Sequence, residues 1–263
     1  MKTMRWSVMG FVAAAVLAFC AAQAARAAEE IPRVLIYPPE NIDLNEGTIE
    51  CWFKFVDDKT DTKEMIFTFF NLSGQEGGII ASYSWSGIEG KSGMWYIRPW
   101  DQGMPFGTVG PEYKKETWYH IALVWNDKDT ILYVDGKLQA GGKGTMSKRT
   151  HPVSFARMVG KLVGKPVYGG TPFCMVVARS MPIAVDDVRV SKIARKPEEL
   201  GFAVGELKPD IFTAILDNFE TTFEPDGVKL TKPLVILHGE GGLSPAGSKF
   251  VDGKFGKALQ IMK

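Results

Sequence analysis

Charge of one sign, reactive histidines and long helical patterns are all scarce in this chain. It carries 31 basic and 30 acidic residues, a formal net charge of +1. No stretch gathers the basic patch or stripe that a nucleic-acid surface needs, and no acidic or basic tail is present. The histidines are His120, His151 and His238, with no metal-ligand spacing among them. No serine sits in a G-x-S-x-G elbow, and no Gly-rich phosphate loop precedes a helix. Long amphipathic helices are missing as well, and short strands with closely spaced turns point to an all-β sandwich.

Apolar runs are few, and the long one comes first. Lys2 and Arg5 precede the apolar stretch Val8 to Phe19, and Ala25-Arg26-Ala27 supplies a small-residue cleavage signal before Glu29-Glu30. That pattern predicts a secretory signal peptide over 1–28, hence a secreted or periplasmic protein whose single folded domain covers 29–263. Leu17-Ala18-Phe19-Cys20 is similar to a lipoprotein cleavage box, but the bulky Phe19 argues against anchoring at Cys20. No other apolar run is long enough to span a bilayer. Beyond the leader only Cys51 and Cys174 remain. Export permits a disulfide between them, yet each lies in an apolar strand-like stretch where a free cysteine acts as a small hydrophobe. Both readings stay open.

What the chain does hold is β-pattern. Trp118 to Trp125 is a run of β-formers, Asn126-Asp127-Lys128-Asp129 supplies a turn, and Thr130 to Val134 runs back. Asp135-Gly136 marks a second reversal. Tyr119, Ile121, Leu123 and Trp125 fall on one face, and Trp118, His120, Ala122 and Val124 on the other. Both faces are largely apolar, so the strand is expected inside a sheet covered on both sides, with His120 a hydrogen-bonded core residue. Thr48 to Val56 alternates too, with Ile49, Cys51, Phe53 and Phe55 on a core face and Trp52 an aromatic outlier on the polar one. Further strands are expected over 65–72, 79–85, 94–100, 174–178, 183–190, 211–219, 234–238 and 257–261, with one helical turn near Pro197.

Four of these pieces resemble one family. Gly47-Thr48-Ile49-Glu50-Cys51-Trp52 looks like the "G-T-I-E-x-W" strand of laminin-G-like, concanavalin A-like jelly rolls. Trp118-Tyr119-His120-Ile121-Ala122-Leu123-Val124-Trp125 with Tyr133-Val134-Asp135-Gly136 resembles its central hairpin. Val185-Asp186-Asp187-Val188-Arg189-Val190 is similar to its closing strand, and Pro197-Glu198-Glu199-Leu200 to the acidic turn after it. These motifs span 47–200. Segments like Ile215-Leu216-Asp217-Asn218-Phe219-Glu220 and Phe255-Gly256-Lys257-Ala258-Leu259 normally open the fold, yet here they come last. The expectation is a two-sheet antiparallel sandwich, circularly permuted, with 211–261 completing it; a truncated second copy, or a segment paired to a neighbouring chain, is the alternative.

The resemblance also frames the chemistry. Members that cleave β-glucans carry E-x-D-x-x-E on one strand, which sets an acid and a nucleophile on one face. That run is absent. Glu224-Pro225-Asp226 comes nearest, but it sits in a Pro/Gly turn and Lys229 stands where the last carboxylate belongs. The resemblance implies a structural Ca²⁺, with Asp186 and Asp187 of the closing strand and Asp217 and Glu220 of the opening strand as candidate ligands. A solvated or hydrogen-bonded acidic strand end is the alternative. Trp52, Tyr83, Trp85, Trp95, Tyr96, Arg98 and Trp100 are the candidate ligand-binding residues, because sugars stack on aromatic faces beside polar groups. Core packing is their competing role. The expected function is that of a non-catalytic module binding carbohydrate or an envelope glycan. A structural or adhesive protein that engages other proteins is the alternative, and a glycoside hydrolase ranks third. Neither nucleic acid nor a membrane span is expected.

Overall fold

The computed structural model describes residues 34–38, 40–43, 45–56, 65–73, 78–85, 94–99, 106–109, 114–143, 173–177, 183–224, 230–242 and 248–261. Two antiparallel sheets form a sandwich. The first has the order β1 (Val34–Ile36), β10 (Phe173–Val177), β3 (Met65–Ser73), β4 (Gly78–Trp85), β5 (Met94–Pro99), β6 (Phe106–Val109). The second runs β15 (Val235–Ile236), β12 (Thr213–Asp217), β11 (Ile183–Ser191), β2 (Gly47–Phe55), β7 (Tyr119–Trp125), β8 (Asp129–Val134), β9 (Lys137–Lys143). A hairpin of β16 (Lys249–Asp252) and β17 (Lys257–Ile261) joins the second sheet through β17. A two-stranded ribbon of β13 (Thr222–Phe223) and β14 (Leu230–Thr231) stands apart.

The central strand β7 lies between β2 and β8 and is covered on both sides. Ile121, Leu123 and Trp125 join Ile49, Cys51 and Phe53 of β2 in the main core. Ala122 and Val124, on the opposite face, pack with Leu200 and Phe202. The turn after β7 forms as its residues require: the Asn126 side chain accepts the backbone N–H groups of Lys128 and Asp129 at 2.8 Å each. At the next reversal Asp135 and Gly136 both take positive φ, +45° and +72°. A Cβ at Gly136 would also strike the Phe202 ring.

The C-terminal strands close the second sheet. β11 pairs with β2 along one edge, while β12 and β17 share its other edge. Phe212 to Phe219 therefore does form a ladder with the earlier strands, as a completed sandwich demands. Main-core residues on these strands include Ile215, Leu259 and Ile261, all buried. Each stabilises the fold by about 1.5–3 kcal/mol through apolar area withdrawn from water.

Candidate functional site

The outward face of the second sheet carries polar side chains that are nonetheless sealed. The reason is a bulge in β11. Opposite β2, Asp186 pairs with Trp52 and Arg189 with Glu50, so Asp187 and Val188 together face Cys51. Asp187 takes the left-handed conformation, φ +48°, that lets the strand bend there. Alternation changes phase across it: Val185 and Val188, three apart, both point into the core. Asp186 and Arg189 consequently share the outer face with Glu50 and Trp52.

Glu50 is the hub of that face and is fully buried. Its Oε1 accepts Arg189 Nε at 2.8 Å and Nη2, and its Oε2 accepts His120 Nε2 at 2.9 Å and the Gly201 N–H at 2.8 Å. Burial works to raise the Glu50 pKa. The His120 hydrogen bond, the Arg189 charge and the Gly201 N–H outweigh it and hold the carboxyl below its usual range. Arg189 Nη2 reaches on to the Glu199 carbonyl at 2.9 Å. Residues 192–210 lie over the cluster as a strap, containing a 3₁₀ turn (Pro197–Glu199) and the short helix α1 (Gly201–Val204). The helical turn predicted near Pro197 is thus the middle of this cover. Its ends are tied by Arg195, which bonds both Asp210 oxygens at 2.8 Å, and by Asp187, which accepts the Leu207 N–H at 3.0 Å. Sequence patterning missed this hub, although Glu50 and Arg189 each stand on the polar side of an otherwise apolar strand.

Of the two roles open to Trp52, ligand binding and packing, the structure gives it packing. It is 7% exposed. The β16–β17 turn closes over it, with the Phe255 ring 6.0 Å away edge-on and Lys254 Nζ 4.2 Å above the indole. Its cross-strand partner is His120, ring centroids 5.0 Å apart and interplanar angle 67°.

The other aromatic candidates lie in the first sheet, where the ladder sets their register. Tyr83 of β4 stands opposite Trp95 of β5 and also opposite Phe67 of β3. Tyr96 is opposite Ser82, Arg98 opposite Ile80, and Trp85 opposite Met65. Trp100 lies outside the described residues.

The four acidic candidates are not brought together as one calcium shell. Asp186 Oδ2 accepts the Lys254 and Phe255 N–H groups at 2.7 and 2.9 Å, and its Oδ1 accepts the Asp187 N–H at 2.9 Å. Asp217, fully buried, takes Tyr37 Oη at 3.1 Å, Thr231 Oγ1 and the Phe219 N–H at 3.1 Å. Glu220 accepts the Lys257 N–H at 2.6 Å. Among the described residues no group of three or more acidic, histidine or cysteine side chains could hold a metal ion. A calcium ion needs six to eight oxygens; these carboxylates already receive N–H and O–H donors, so as a joint ligand set they do not fit. Burial pushes Asp186 up to about 7, despite its N–H donors, and Asp187 and Asp217 to about 6.

Cys51 is a free thiol closed inside the core, so the bridge to Cys174 is not formed. Burial raises its pKa well above the ordinary value, and the Glu50 and Asp186 charges add to the shift. Cys174 stands in β10, opposite Leu72 in the other sheet. Most of the Glu224-Pro225-Asp226 turn lies outside the described residues. No helix among the described residues is long and apolar enough to cross a membrane.

Comparison with known proteins agrees with this architecture. A family model described as Concanavalin A-like lectin/glucanases superfamily matches residues 33–201. No curated protein matches the chain. Among solved structures it is similar to a candidate carbohydrate-binding protein from Bacteroides ovatus, with 17% identity and a TM-score of 0.52. That match covers 88% of this chain, which spans 58% of the Bacteroides protein's length. A sialidase from Trypanosoma rangeli matches at 14% identity and TM-score 0.41, over 65% of this chain and 26% of that one. An SAP-like pentraxin from Limulus polyphemus matches at 12% and 0.41, over 68% and 86%.

Proposed function

The chain belongs to the concanavalin A-like lectin/glucanases superfamily, and from that membership we propose that it is a non-catalytic module that binds carbohydrate. The observation that carries this reading is the β4–β5 ladder, which sets Tyr83 beside Trp95 on one face of the sheet and Tyr96, with Ser82 and Arg98, on the other. The paired aromatic positions Tyr83 and Trp95 supply rings of the kind that stack on sugar C–H groups. The carbohydrate-binding description of the Bacteroides protein supports the same ligand class. The missing E-x-D-x-x-E run supports binding without hydrolysis.

A glycan array followed by calorimetry tests it. Saturable binding to one glycan class is expected, weakened tenfold or more by Trp95→Ala or Tyr83→Ala with unchanged circular dichroism. Binding that survives both substitutions, or none on the array, overturns the reading. Turnover of a polysaccharide would favour the hydrolase reading instead.

One observation favours a second reading, a structural or adhesive role toward other proteins. Ile211, Phe212, Leu234 and Leu237 are 91%, 42%, 61% and 49% exposed at the ends of β12 and of the edge strand β15. Ile211→Asp with Leu234→Asp separates the two: lost adhesion with intact glycan binding would favour the second.

A further inference from the structure

Among the described residues, two polar atoms in the outer-face cluster have no hydrogen-bond partner. They are Trp52 Nε1 and His120 Nδ1, both buried, on side chains that are 7% and 0% exposed. Buried donors and acceptors in folded proteins almost always find a partner, protein or ordered water, because leaving one unmet forfeits its hydration without return. That both orphans stand on directly paired residues of β2 and β7 makes a shared solution the economical one.

The roles of the two atoms follow from their neighbours. An indole N–H can only donate. His120 Nε2 faces the Glu50 carboxylate, an acceptor, and so carries the imidazole proton. Glu50 is already matched in charge by Arg189, held through both Nε and Nη2. In the imidazole tautomer that carries its proton on Nε2, Nδ1 presents a lone pair. One side therefore offers a donor and the other an acceptor. They do not satisfy each other directly: the rings meet edge to face, 5.0 Å between centroids.

We propose that Trp52 and His120 together hold one internal water molecule, which accepts the indole N–H and donates to the imidazole Nδ1. The arrangement needs a group that is donor and acceptor at once, which water supplies and a cation or anion does not. Lys254 and Phe255 roof the indole, and Phe202 lies beside the imidazole. The water thereby extends the Glu50 network to Trp52 and fixes which imidazole nitrogen bears the proton.

The test uses the native full-length chain. In ¹⁵N-labelled protein the Trp52 indole proton, assigned with Trp52→Phe, is expected to show a cross-peak to water. His120 is expected to carry its proton on Nε2 with Nδ1 in the hydrogen-bonded acceptor range. A high-resolution crystal structure should place an oxygen within about 3 Å of both atoms. An indole proton without a water cross-peak, a proton on Nδ1, or density showing a direct Trp52–His120 contact would overturn the proposal. Should Trp52→Phe fail to fold, the crystallographic oxygen decides alone.

Discussion

Arg189 and Glu50, 139 residues apart in the chain, meet in a two-pronged ion pair beneath the strap of residues 192–210. Arg189→Met leaves the Glu50 charge buried without its counter-charge. Breaking one partner of such a pair costs about 3–5 kcal/mol, and the chemical-denaturation midpoint should fall accordingly. The double variant Glu50→Leu, Arg189→Met is expected to recover only part of the loss. His120 and the Gly201 N–H lose their acceptor with Glu50.

At Gly201 the strap lies tight against the sheet, its N–H 2.8 Å from Glu50 Oε2. An added Cβ would lie 2.7 Å from His120 Nε2 and 3.0 Å from a Leu207 methyl. Gly201→Ala should therefore lower stability by about 1–3 kcal/mol, the usual cost of overpacking. Thermal melts check the loss, and the His120 imidazole resonances should shift with it. A variant as stable as the parent would mean that the strap yields freely.

Stability should fall as pH rises from 5 to 8. Asp186, Asp187 and Asp217 have folded pKa values raised to about 7, 6 and 6 from an ordinary 3.8. The folded chain thus binds these protons more tightly than the unfolded one. Their contribution is full below the unfolded value and is lost as pH passes through 6 to 7. Glu50 and Asp210, both lowered, act in the opposite sense and only at more acid pH. Urea midpoints across the range measure this, and Asp217→Asn should flatten part of the slope.

The Cys51 thiol should be chemically silent in the folded protein. It is fully buried, and burial raises its pKa. Iodoacetamide labelling with peptide mapping should leave Cys51 unmodified in native protein and modify it in denaturant. Reductant should not change the melting temperature if the thiol is free.

Much of the fold was legible in sequence because strand alternation and turn chemistry are local. The hairpin from Tyr119 to Val134 shows both, and its two covered faces match the expectation drawn from Ile121, Leu123, Ala122 and Val124. The candidate site was less legible, for a physical reason. Period two holds only while the backbone stays extended, and Asp187 breaks it with a positive φ that no residue pattern announces. The closure of Trp52 was hidden too, since it depends on Lys254 and Phe255, some two hundred positions further along. Glu50 and Arg189 were visible as polar residues in apolar strands, but only tertiary pairing makes them partners.

The division of one β11 edge between β12 and β17 has a consequence for biosynthesis. The strand that seals the lower half of that edge follows every other strand named here in chain order, so it is the last of them to emerge from the ribosome. Until then Ile183, Ala184 and Val185 have backbone hydrogen bonds on one side only. Such an open flank can pair with another nascent chain. Vectorial synthesis therefore leaves this domain an interval in which a chaperone has a defined target.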